Sequence, residues 1–162
     1  MPASDTLQLH LFEQVADGLH SLVPPEVGPW RQRNHRYGIK VWFGTDLAKP
    51  DRLHFEAQVV GAKHVPGSTT LAIEVGFHAE HPDPKVNRAT LEALVAKERT
   101  WRRALGDEAV AGGFLGRAKD WTRLSETWPD PDLSDPELPF ELAVRLTDYL
   151  VALQPLLRSV DR

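Results

Sequence analysis

Three consecutive stretches of this chain alternate apolar and polar residues with a period of two, and that pattern constrains the fold more than any other feature. In "YGIKVWFG", Ile39, Val41 and Phe43 alternate with Lys40 and Trp42. In "RLHFEAQVV", Leu53, Phe55, Ala57 and Val59 alternate with His54, Glu56 and Gln58. In "TLAIEVGFH", Leu71, Ile73, Val75 and Phe77 alternate with Ala72, Glu74, Gly76 and His78. Successive side chains of a strand point to opposite faces, so each run has one apolar face to bury. The connections "GTDLAKPD" and "GAKHVPGS" are rich in turn formers. They fall short of the roughly dozen residues that a parallel crossover requires. An antiparallel meander follows.

Helical periodicity flanks the meander. Leu7, Leu11, Phe12, Val15, Leu19 and Leu22 recur at spacings of three and four, behind a capping Asp5, until "VPPEVGP" ends the helix. A second helix is expected from a cap at Asn87 to a stop at Gly106, with Leu91, Leu94, Val95, Trp101 and Leu105 forming its buried stripe. A last helix begins near Pro139 and buries Leu142, Leu146, Tyr149, Leu150 and Leu153, with Pro155 expected to kink or shorten it. Between them, one or two short strands are expected before Trp128. With 162 residues and 41% apolar content, one core fits the whole chain. The expected fold is one α+β domain spanning residues 1–162: a three-stranded meander plus one or two strands, helices packed on one face, the other face wet.

That wet face is where chemistry can reside. Lys40, Trp42, His54, Glu56, Gln58, Glu74 and His78 all project from it. Parity restricts their partners, because a one-residue slip would invert a strand. Allowed registers pair Lys40 with Glu56, His54 with His78 and Gln58 with Glu74, or Glu56 with Glu74. Paired carboxylates raise one pKa and imidazole titrates near neutrality, a combination suited to acid–base work or to binding a polar ligand beside the Trp42 indole. Trp121 or Trp128 would help to frame such a face. In "HAEHPDP", His78 and His81 stand three apart on opposite strand parities, and no recognised metal-ligand spacing accompanies them. Glu80, His81 and Asp83 are read as turn residues, and neither a metal nor another cofactor is expected.

Other signals exclude more than they assign. The chain has no cysteine, which rules out thiolate chemistry and Cys-based metal sites. Arg31, Arg33 and Arg36 around Trp30 and Tyr37, and Arg99, Arg102 and Arg103 around Trp101, have the basic–aromatic character of a nucleic-acid contact. The net charge of −4 opposes that reading. "AGGFLGRAKD" lacks the phosphate-loop spacing. In "PDRLHFEAQ", Gln58 stands where a PD-(D/E)xK nuclease carries lysine. The N-terminus has no basic region followed by an apolar run, so a soluble cytoplasmic protein is expected. The functional expectation is a domain presenting its His/Glu/Lys face to a small ligand or a protein partner. The alternative is a small hydrolase or lyase, metal-assisted or acid–base, using Glu56 or Glu74 with His54 or His78. The apolar terminal helices leave room for a homodimer.

Overall fold

The computed structural model describes residues 3–44, 49–116 and 119–160. Along the chain lie α1 (Ala3–Leu22), β1 (Arg31–His35), β2 (Gly38–Trp42), β3 (Leu53–Gly61), β4 (Leu71–Ala79), α2 (Pro84–Val95), α3 (Glu98–Leu105), β5 (Val110–Gly113), β6 (Thr122–Pro129) and α4 (Leu138–Val160). Among the described residues the strands form one sheet in the order β1-β2-β3-β4-β6-β5, with every neighbouring pair antiparallel. The expected meander is β2-β3-β4. Strand β1 extends it, joined to β2 through the two residues Arg36 and Tyr37. Its "RQRNH" carries no apolar alternation because it is an edge strand, mostly exposed.

The helices cover one face. Leu11, Phe12, Val15 and Leu19 of α1 meet Leu142, Leu146, Leu150 and Leu153 of α4. Both sets rest on Ile39, Val41, Phe55, Ile73, Val75, Phe77 and Leu124 of the sheet. Each such side chain contributes about 1.5–3 kcal/mol through burial. The terminal helices approach closely where Gly18 faces Ala143: a Cβ on Gly18 would lie 2.9 Å from the Ala143 Cβ. Their apolar faces are thus used within the fold. No helix among the described residues is long and apolar enough to cross a membrane.

Four local expectations are corrected. The second helical region divides into α2 and α3, because Lys97 leaves helical geometry (φ −108°, ψ 18°). The buried Trp101 then donates its indole N–H to the carbonyl of Leu94, at 2.7 Å. Asp83 caps α2 by accepting the Lys85 amide, and Asn87 is buried one turn inside. There it accepts the His81 amide and donates to the carbonyls of His81 and Asp120, which ties down the segment after β4. Helix α4 continues past Pro155 to Val160. Trp128 pairs with Ile73 on the helical side and packs into the core rather than framing the outer face.

Candidate metal centre

The register of β2, β3 and β4 pairs Lys40 with Glu56, His54 with His78 and Gln58 with Glu74. The middle of the face these residues share is not wet, although Lys40 and Gln58 at its margin are only half-buried. His54, Glu56, Glu74 and His78 are each 3% exposed or less. The cover comes from sequence-distant residues. Phe114, after β5, sets its ring 4.7 Å from that of His78, and Trp121 stacks edge-on against Phe114 at 5.2 Å. His35 of β1 reaches over Glu56. Gly76, opposite Glu56, keeps the middle of the face open to close strand approach. Its φ is +154°, and a Cβ there would fall 2.5 Å from the carbonyl oxygen of Leu124.

Four side chains converge on one point. His54 Nε2 lies 2.9 Å from Glu56 Oε1 and 3.3 Å from Glu80 Oε2. His78 Nδ1 lies 3.2 Å from Glu56 Oε1 and 3.1 Å from Glu80 Oε2. All four donor atoms fall within 4.8 Å of one another. In a tetrahedral shell with bonds of about 2.0–2.1 Å, neighbouring ligand atoms stand about 3.3 Å apart. Four of the six edges here run from 2.9 to 3.3 Å.

The far atom of each group also faces a partner. His54 Nδ1 donates to the carbonyl of Asp51 at 2.8 Å, which leaves Nε2 directed at the carboxylates. His78 Nε2 lies 3.0 Å from Glu74 Oε1, within ion-pair range but off the line of a hydrogen bond. Glu74 is fixed in turn by Gln58 Nε2, at 2.9 Å, and by the Ser125 hydroxyl, at 2.6 Å. Glu56 Oε2 accepts from His35 Nε2 at 2.8 Å, while His35 Nδ1 accepts the Tyr37 amide. Glu80 Oε1 is 3.8 Å from Lys40 Nζ. Outer partners of this kind orient metal-ligating imidazoles and carboxylates.

Electrostatics explain why the cluster needs a cation or protons. Burial opposes charge on His54, but hydrogen bonds to Glu56 and Glu80 outweigh it and hold the imidazolium above its usual pKa. Burial opposes charge on His78 as well, and there the Glu74 carboxylate with the Glu56 hydrogen bond outweighs it strongly. Burial would raise the carboxyl pKa values too. The histidines instead hold Glu56 well below the usual range, Glu74 below it, and Glu80 at about 2. Three buried carboxylates therefore face two imidazoles whose protonated forms they favour. Two imidazolium protons and one divalent ion supply the same compensation. Imidazole and carboxylate donors suit zinc, iron or manganese better than calcium or magnesium, which favour oxygen alone.

Of the residues expected to form a site, Lys40, His54, Glu56, Gln58, Glu74 and His78 join this network directly. Trp42 lies on the same face, buried, with its Nε1 unpartnered among the described residues. Glu80, His35 and Ser125 were not anticipated. Glu80 continues the parity of His78 one residue beyond β4, and its amide still bonds the Arg52 carbonyl at 2.8 Å. The even positions 74, 76, 78 and 80 carried that signal, but Pro82 made the segment read as a turn. A cleft of about 550 Å³ opens beside His54 and Glu80, bordered by Lys40, Lys49, Asp51 and Arg52.

The two arginine groups do not form one surface. Arg31 and Arg33 lie on the β1 edge, with Arg36 in the following turn. Arg99, Arg102 and Arg103 lie on α3. Arg102 there bonds the Ala109 carbonyl beside β5, at the opposite edge of the sheet. Arg102 also stacks on Trp101 and pairs with Glu98, so local packing employs it. Comparison of the chain with family models, curated proteins and solved structures returned no match.

Proposed function

We propose that this chain is a ligand-binding domain, and that the ligand its outer sheet face is built to hold is a divalent transition-metal ion. His54 Nε2, His78 Nδ1, Glu56 Oε1 and Glu80 Oε2 are the ligands. The observation that carries this reading is the set of four donors spaced like a coordination shell, each with its far atom facing a partner. The ion would compensate the buried carboxylates without requiring both imidazoles to remain protonated.

The test is metal content and calorimetric titration of the full chain with zinc, manganese and ferrous iron. One ion per chain is expected, with binding abolished in a His54→Ala/His78→Ala double variant. Wild-type protein that binds none of the three metals more tightly than that variant does would overturn the reading.

A second reading is an acid–base hydrolase or lyase in which protons occupy the centre. It is supported by the placement of His54 and Glu80 on the wall of the 550 Å³ cleft. An imidazolium–carboxylate pair at a cleft wall can exchange a proton with a bound substrate. Turnover by metal-free protein, lost in Glu80→Gln, would favour this reading over the first.

A further inference from the structure

We propose that the cleft beside the metal centre takes a small oxyanion, a carboxylate or a phosphate group, that reaches the ion across the His54–Glu80 edge. The inference rests on the metal reading above and adds the class of the exchangeable ligand.

The approach is directional. Of the four ligands, His54 and Glu80 border the 550 Å³ cleft, while Glu56 and His78 lie beneath Phe114 and His35. A ligand in the cleft therefore meets one edge of the coordination shell. Zinc expands from four ligands to five, and manganese or ferrous iron accepts six, so an oxygen from the cleft can be added without losing a protein ligand.

The charge of the cleft selects the sign of that ligand. Lys40, Lys49 and Arg52 border it, against the carboxylates of Asp51 and Glu80. Asp51 Oδ1 already accepts the Leu53 amide, at 3.1 Å. Glu80 turns Oε2 toward His54 and His78. Lys40 Nζ stands 3.8 Å from the outer oxygen of Glu80, a long pairing that leaves ammonium protons to donate. Once an ion neutralises Glu80, the described residues lining the cleft carry a net positive charge, and an anion is the ligand that completes it. A guanidinium fits an oxyanion with two parallel donors, which is the part assigned to Arg52. The cleft of about 550 Å³ is larger than a bare phosphate, which leaves room for an oxyanion carried on a small molecule.

The test uses the full chain loaded with cobalt(II), whose visible bands report coordination number. Cobalt content is measured first, and inorganic phosphate and oxalate are then titrated separately, with sodium chloride as the ionic-strength control. The expected result is a saturable band shift with at least one oxyanion and none with chloride. The oxyanion acting at the lower concentration identifies the headgroup. Arg52→Gln should weaken that binding about tenfold, the weight of one charge-assisted contact, and Arg103→Gln on α3 should not change it. Protein that takes up cobalt but shifts its bands with neither oxyanion overturns this proposal alone. Protein that takes up no cobalt overturns the metal reading and this proposal together.

Discussion

The two faces of one sheet show two ways of being buried. The helical face sets Ile39, Val41, Phe55, Ile73, Val75 and Phe77 against α1 and α4, and its burial directly stabilises the fold. The outer face sets His54, Glu56, Glu74 and His78 against Phe114 and His35, equally removed from water. There the gain from pairing charges is offset by the cost of desolvating them, and apolar replacements of similar volume often match or exceed such networks in stability. A chain selected for stability alone has little reason to carry the second face. The contrast teaches that similar burial on two sides of a strand can answer to different demands.

The two faces differ most where one partner is removed. His78→Ala leaves three carboxylates facing one another in a dry site. It should cost about 3–5 kcal/mol in urea denaturation and abolish metal binding, both measurable on the same preparation. On the other face, Leu146→Ala should cost about 2–5 kcal/mol while the folded protein still takes up one metal ion. Equal loss of metal stoichiometry in both variants would remove the distinction between the faces.

Smaller effects are expected from changes that keep the side-chain shape. Glu74→Gln keeps the shape but removes the charge facing His78 Nε2, and should weaken metal affinity about 10–100-fold with a smaller change in stability. The smallest and most diagnostic effect is on pH. In metal-free protein, His54 and His78 have raised folded pKa values. Their stabilisation is complete below 6.5 and is lost as pH rises through those values. Glu80 acts in the opposite sense, stabilising above its ordinary 4.5 and losing that contribution as pH falls toward about 2. Metal-free protein should therefore be most stable in the mildly acidic range and weaken as pH rises above it. Metal affinity should rise over that same interval, because the ligands must shed protons. Thermal denaturation across pH, with and without zinc, would reveal the crossing trends. Parallel trends would count against protons and metal sharing one centre.

The sequence revealed the parts of this site that depend on parity. Alternation in three strands placed Lys40, His54, Glu56, Gln58, Glu74 and His78 on one face, and left few registers open, among them the one adopted. It did not reveal that the face is dry. Phe114 and Trp121 come from the β5–β6 connection, and no local pattern in β3 or β4 encodes their arrival. His35 was missed with its strand, because a mostly exposed edge strand needs no apolar alternation. Glu80 was missed because Pro82 is a strong turn signal, while the ladder in fact runs one step further. Asn87 looked like a cap because Asn often is one, and its use as a buried clamp depends on tertiary contacts.

All four donors of the centre belong to the β3–β4 hairpin or, for Glu80, to the residue directly after it, with Glu56 and His78 separated by 22 positions. Closing so short a loop costs little entropy, and the cost grows only logarithmically with length. The centre can therefore assemble as soon as the two strands align, before α4 arrives from the C-terminal end. A cation captured at that stage would act as a register pin. Slipping one strand by a single residue would turn its two donors to the helical face and break the shell. In a growing chain, the site would then serve as a checkpoint for strand alignment, well before it serves any ligand in the cleft.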